Sequence, residues 1–248
     1  MTSTRSVEPA AHATPKYYEL RQWPRQHIDG LPPGSPVQPE RALSEQFNIS
    51  RTTVRQALHD LAVEGRIVRM QGRGTFVATP KITQRLQLTS YTEDMRTQGL
   101  RPGSQLIDVT VTEAEPDVAD SLDLPEGAPV IRVERVRSSN GEPMAVETVY
   151  LDHDRFPGIE QLSEMPSLYA LLEERFGVVP VDGEETIETV LAPPAASRLL
   201  GTDSSIPMLL LTRTSRDAGG RPVEYVRSLY RGDRFRLTAR LTRPGDRG

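Results

Sequence analysis

Arg51, Thr52, Arg55, Gln56 and His59 recur at the spacing that places side chains on one side of a helix. Arginine can fork onto guanine O6 and N7, glutamine onto adenine, and threonine can meet a phosphate or a thymine methyl. A second set lies far along the chain. Arg135 and Arg137 share a strand face with Ile131 and Val133, Glu147 with Ala145, Val149 and Leu151, and Glu224 and Tyr230 with Val226. An unpaired buried charge is costly, so charges in register with an apolar set are normally paired or bind something. Two arginines suit a phosphate, and two carboxylates with tyrosine hydroxyls suit the donors of a sugar or an amine. Internal Arg–Glu salt bridges, or strands whose other face is the buried one, would produce the same pattern.

The elements that must position the first set are legible around it. From Arg51 on, Val54, Ala57, Leu58, Leu61 and Ala62 form a buried stripe opposite the polar face. Ser50 can cap the amides of Thr52 or Thr53, and Ile49 can staple onto Val54. Leu43 and Phe47 lie four apart on a shorter helix just upstream, so two helices joined by a tight turn predict a helix-turn-helix. No acidic residue occurs between Glu45 and Asp60, whereas a merely solvated face usually mixes both signs. After Gly65, Arg66 to Ala78 alternates as a hairpin with its tip at Gln71-Gly72-Arg73-Gly74. A glycine-rich tip carrying Arg73 can approach a DNA groove closely, which makes the motif a winged helix.

The second set needs a sheet. Short alternating segments near 105–113, 129–137, 144–151, 184–191, 207–215, 223–230 and 235–242 mix with helices near 117–122, 167–176 and 194–200, predicting an α+β domain on an antiparallel sheet. Hairpins turning at Asn140-Gly141 and Gly219-Gly220 each run from an Arg-bearing strand into a Glu-bearing one, as two similar halves around one cavity would. Thr89 or Ser90 can cap a helix through Tyr91, Met95 and Gln98. The starts at Thr89-Ser90-Tyr91 and Ser167-Leu168-Tyr169 offer backbone amides to an anion.

Composition bounds the rest. The 248 residues suit two domains. Residues 1–80 hold 10 Lys and Arg against 7 Asp and Glu (+3), and residues 81–248 hold 20 against 27 (−7). A mildly basic part joined to an acidic one fits a DNA-meeting domain followed by one that meets no phosphate backbone. The absence of cysteine excludes disulfides, thiolate nucleophiles and zinc ribbons, and the four histidines lack metal-ligand spacing. No apolar run approaches the ~20 residues of a membrane span, so a cytoplasmic location is expected. Residues 1–15 read as a disordered tail, 16–78 as the winged helix, 79–88 as a linker, and 89–248 as a binding and dimerisation domain. Pro24 predicts a kink, start or stop near Trp23 in a first helix holding Tyr17, Tyr18, Leu20 and Ile28.

The segment PVQPERALSEQFNISRTTVRQALHDLAVEGRIVRMQGRGTFVA resembles the DNA-binding domain of GntR-family bacterial regulators, with Gln38-Pro39-Glu40-Arg41 where many members have Pro-Ser-Glu-Arg. The resemblance implies that Arg41, Ser50, Arg51, Thr52, Thr53, Arg55 and Gly72 contact operator DNA. LTSYTEDMRTQGL, ERVRSSNGEPMAVET, SLYALLEERFG, EETIET and PVEYVRSLYRGDRF are similar to the effector domain of the HutC subfamily, its amino-sugar regulators above all. That implies a chorismate-lyase-like fold, a phosphate held by Ser90, Arg135, Arg137, Ser167 and Tyr169, and a sugar held by Glu147, Glu224 and Tyr230. The reading is a homodimeric repressor on an inverted-repeat operator, released by glucosamine-6-phosphate or N-acetylglucosamine-6-phosphate. Another sugar phosphate or a small carboxylate is the near alternative. A lyase-like enzyme is the distant one, because no nucleophile, base and orienting group converge in the sequence. No cofactor is implied.

Overall fold

The computed structural model describes residues 28, 30–70 and 73–241. The chain divides into two compact units, Met1–Lys81 and Ile82–Gly248. The expected tail, most of the first helix, the Trp23-Pro24 pair and Gly72 at the wing tip lie outside the described residues.

In the first unit, α1 (Glu40–Phe47) and α2 (Arg51–Val63) are joined by a turn in which Asn48 takes a left-handed conformation, φ 50°. The Ser50 side chain accepts from the Thr53 amide, so α2 begins where its cap predicts. Strands β1 (Ile67–Met70) and β2 (Gly74–Val77) pair antiparallel as the hairpin. Val54, Ala57, Leu58 and Leu61 meet Leu43, Val37, Ile67 and Val77 in one core, with Ile49 packed against it. The polar face of α2 is thereby left exposed.

The second unit begins with a correction. Within the stretch read as a linker, β3 (Ile82–Arg85) pairs parallel with β10 (Phe235–Thr238). Ile82 and Gln84 are buried and Arg85 is exposed, an alternation too short to stand out, and the partner strand lies 153 residues away. The last strand likewise stops at Thr238, short of the expected 242.

Between these strands run α3 (Tyr91–Thr97), β4 (Pro102–Glu113), α4 (Pro116–Leu122), β5 (Pro129–Ser139), β6 (Glu142–Asp152), α5 (Leu168–Phe176), β7 (Asp182–Leu191), α6 (Pro194–Leu200), β8 (Pro207–Arg216) and β9 (Pro222–Arg231). Six of them form one sheet in the order β4-β5-β6-β9-β8-β7, every pairing antiparallel. The chain makes helix, strand, helix and hairpin twice, and the two halves meet at β6 and β9. This is the quasi-repeat that the two hairpin turns announce. The first hairpin closes with Asn140 and Gly141 both at positive φ, 51° and 85°, as a two-residue turn between twisted strands requires.

Both faces of the sheet are covered. Val136, Val146 and Met208 pack with Ala196 and Leu200 of α6, and Val130 packs with Val118 and Leu122 of α4. On the opposite face, Ile131, Val133, Val149 and Val226 pack with Leu168 and Leu172 of α5, while Ala145, Leu211 and Tyr230 pack with Tyr91 and Met95 of α3. The unusual charges belong to this second face. No helix among the described residues is long and apolar enough to cross a membrane.

Candidate nucleic-acid interface and effector cleft

On α2, Arg51, Thr52, Arg55, Gln56 and His59 are all exposed. Arg55 lies 3.4 Å from Glu40, and Arg69 of β1 reaches both Glu40 at 3.6 Å and the Arg55 carbonyl at 3.2 Å. Glu40 thus gathers one arginine from the recognition helix and one from the wing. Arg41 pairs with Glu45 at 3.0 Å, and Gln56 donates to Asp60 at 3.0 Å. Solvent-exposed pairs of this kind are worth at most about 1 kcal/mol, so these side chains are easily recruited by a phosphate or a base. Thr53 is half-buried, its hydroxyl 2.8 Å from that of Ser50, which makes both residues parts of the cap. Arg73 is exposed where the hairpin returns. Arg69 is absent from the expected set; it shares a strand face with buried Ile67 while Val68 is exposed, the reverse of the face that an inward Val68 would give, and its side chain is nonetheless exposed.

The second unit brings Ser90, Tyr91, Arg135, Arg137, Glu147, Ser167, Tyr169 and Glu224 to one narrow cleft, part of it open to solvent. Two helix caps frame it. Ser90 accepts from the Glu93 amide at 3.2 Å while Glu93 accepts from the Ser90 amide at 2.8 Å, and Ser167 accepts from the Ala170 amide at 3.4 Å. Thr89 and Tyr230 line an adjoining chamber instead, together with Gln84, Glu185 and Ser228. Thr92 and Arg213 are cleft residues outside the expected set. Arg213 carries the same signal as Arg135, a charge in register with Leu209 and Leu211, and it occupies the corresponding strand of the second half.

The arginines differ in their partners. Arg135 is ion-paired with Glu147 directly across the β5–β6 ladder, so for this expected phosphate ligand the salt-bridge alternative is what the structure contains. Arg213 stands 3.7 Å from Glu224 and 3.8 Å from Glu185. Glu224 also accepts from the Tyr169 hydroxyl at 2.6 Å and the Ser215 hydroxyl at 3.3 Å. Arg137 has no carboxylate within 4.0 Å among the described residues. It donates to Thr92 Oγ1 at 3.0 Å and the Pro166 carbonyl at 3.4 Å, and stacks 4.7 Å from the Tyr91 ring. Its Nε has no partner among the described residues, and the residue is 2% exposed.

These placements set the electrostatics. Burial pushes Glu147 up, but Arg135, Arg137 and Arg213 together hold its carboxyl below the usual range. Burial wins at Glu224, Glu185 and Asp94, whose carboxyls sit above it. Burial likewise raises Tyr91, Tyr169 and Tyr230, keeping them protonated hydrogen-bond donors at neutral pH. Among the described residues no group of three His, Cys, Asp or Glu side chains could hold a metal ion.

Known proteins share both units. The family of bacterial regulatory proteins, gntR family, matches residues 20–77, and the UTRA domain family matches residues 97–236. The HTH-type transcriptional repressor PhnF of Mycolicibacterium smegmatis is 42% identical over 213 residues, 86% of this chain and 86% of that protein. The HTH-type transcriptional repressor NagR of Bacillus subtilis is 36% identical over 225 residues, 89% of this chain and 92% of that protein. The crystal structure of PhnF from Mycobacterium smegmatis superposes with a TM-score of 0.65 at 39% identity, covering 90% of this chain and 99% of that one. The chain belongs to the GntR family of bacterial regulatory proteins, in its HutC subfamily, and is a transcriptional repressor whose helix-turn-helix binds operator DNA and whose UTRA domain binds a small-molecule effector.

Proposed function

We propose that the effector is a phosphorylated amino sugar, glucosamine-6-phosphate or N-acetylglucosamine-6-phosphate, and that its binding releases a homodimer from an inverted-repeat operator. The observation that carries the reading is Arg137, a buried cation with an unpartnered Nε and no carboxylate beside it. A phosphate supplies the missing anion and accepts several charge-assisted hydrogen bonds at once. The N-terminus of α5 opens on the same cleft and favours negative charge. Glu147, Glu224 and the tyrosine hydroxyls then face the hydroxyls and nitrogen of the sugar. Ser90, Thr89 and Tyr91 at the start of α3, with Ser167 and Tyr169 of α5, complete the enclosure. Arg135 serves this site by fixing Glu147 rather than by holding the phosphate first.

On the DNA side, Arg51, Arg55 and Gln56 read bases, while Arg41, Thr52, Arg73 and Gly72 follow the backbone. Two half-sites are gripped only when the spacing of the two winged helices fits the helical repeat, so an effector that alters this spacing is sufficient to release the operator. The test is Arg137→Ala in the full chain. Its melting temperature is expected to rise far less than the parent's with either amino-sugar phosphate, while operator affinity without ligand stays near the parent's. A ligand-induced shift as large as the parent's would overturn the phosphate assignment. A parent that is stabilised by small carboxylates but not by sugar phosphates would replace the effector class.

A further inference from the structure

The cleft continues into a second polar chamber that shares Tyr91, Glu147, Arg213 and Val226 with it. Gln84 enters this chamber from β3 and Glu185 from β7. Behind them is Asp94, which accepts from Thr89 at 2.6 Å and from Gln84 Nε2 at 2.8 Å. The charges here do not balance. Asp94, Glu185 and Glu224 are three carboxylates, and the only cation within 4.0 Å of any of them among the described residues is Arg213, shared between Glu185 and Glu224. Glu147, the fourth, is already answered by Arg135.

Two polar groups at the same place lack partners. Among the described residues the Gln84 Oε1 and the Tyr91 hydroxyl have no hydrogen-bond partner, in residues 9% and 6% exposed. Buried polar atoms are nearly always satisfied, so each orphan marks a group that belongs there. An ammonium is a compact cation with three donors and no acceptor. It would answer the missing positive charge and give a donor to Gln84 Oε1, to the Tyr91 oxygen and to Glu185. An acetamide nitrogen has one donor and no charge, and a sugar hydroxyl is neutral. Among the described residues Arg137 has no carboxylate within 4.0 Å, and this chamber offers one cation, Arg213, to both Glu185 and Glu224, so the site as a whole is complementary to a ligand carrying both charges.

We propose that this chamber receives the free amine of the effector, so that the protein selects the amino-sugar phosphate over both its N-acetylated form and the plain sugar phosphate. The inference rests on the reading that Arg137 holds the phosphate. It is tested by isothermal titration of the full chain with glucosamine-6-phosphate, N-acetylglucosamine-6-phosphate, glucose-6-phosphate and inorganic phosphate. Glucosamine-6-phosphate is expected to bind at least about tenfold more tightly than either other sugar phosphate, the scale of one charge-assisted hydrogen bond. In Glu185→Gln, an isosteric change on an edge strand, the ratio of glucosamine-6-phosphate to glucose-6-phosphate affinity should fall severalfold. If the parent binds glucose-6-phosphate or the N-acetyl form as tightly as the amine, the chamber assignment is overturned and the phosphate reading stands. If no sugar phosphate binds, both fall.

Discussion

Arg135 and Glu147 face each other across the β5–β6 ladder, and their ion pair is almost wholly buried, with 4% and 8% of the side chains exposed. Removing one member of such a pair strands the other. Arg135→Ala is therefore expected to destabilise the ligand-free protein by roughly 3 kcal/mol, softened because Arg137 and Arg213 also act on Glu147. The folded-state pKa of Glu147 is depressed below its ordinary 4.5, so the stability it contributes is present above that value and is lost as pH falls through the lower folded one. The gap between parent and variant should accordingly narrow in acid. Urea denaturation of both at neutral and acid pH checks this, and equal midpoints at neutral pH would show that the pair contributes nothing.

Glu185 carries the opposite sign. Burial pushes its carboxyl above the ordinary range against the pull of Arg213, and Asp94 and Glu224 push it further. The folded chain holds this proton more tightly than the unfolded one, a contribution present below 4.5 and lost as pH rises through the raised folded value. Glu185→Gln cannot ionise. Without ligand it is expected to melt a few degrees above the parent at neutral pH, with the difference vanishing in acid. Melting curves across the acid-to-neutral range decide, and a variant less stable than the parent at neutral pH would refute the charge imbalance inferred around Arg213.

The contrast between Arg135 and Arg213 shows where the sequence is readable. Alternation along β5, β6 and β9 puts Arg135, Arg137, Glu147, Glu224 and Tyr230 on an inward face, and all of them line the cleft or its adjoining chamber. The same rule applied to β8 marks Arg213, which lies in register with Leu209 and Leu211 as Arg135 does with Ile131 and Val133. What period cannot supply is pairing. That Arg135 meets Glu147 while Arg137 meets no carboxylate depends on register, which the turn at Asn140 and Gly141 and the bulge after Arg137 set together. Gln84 was harder still, since β3 becomes a strand only through a partner at the far end of the domain. The helix-turn-helix and the existence of the hairpin are legible because cap, stripe and turn are all local.

Ser50 combines a cap with a place at the expected DNA surface, and two substitutions separate these roles. Its Oγ accepts from the Thr53 amide at 3.1 Å. Ser50→Ala is expected to lose about 1 kcal/mol of stability, whereas Ser50→Asp keeps a capping acceptor. If the residue also meets a phosphate, Ser50→Asp will fold as the parent does and bind operator poorly, because its carboxylate repels the backbone. Thermal melting beside an operator gel shift reads both properties. Parent-like DNA binding by Ser50→Asp would restrict Ser50 to the cap.

Arg51, Arg55 and Arg41 differ in what holds them, and this predicts different consequences on DNA. Arg51 has no ion pair among the described residues and projects from the first turn of α2, the part of a recognition helix that meets base edges. Arg55, one turn on, is pre-oriented by Glu40, while Arg41 pairs with Glu45 on its own helix. Arg51→Ala and Arg55→Ala should each cost about 1–3 kcal/mol on the operator and relax discrimination at one base pair of each half-site. Glu40→Gln should mimic a weaker Arg55→Ala, because it frees Arg55 and Arg69 without removing either. Arg41→Ala should weaken operator and random DNA alike and flatten the salt dependence by roughly one unit of slope. Binding measured against single-base operator variants at two salt concentrations separates these cases. An Arg51→Ala protein that discriminates every operator variant as the parent does would remove Arg51 from base recognition.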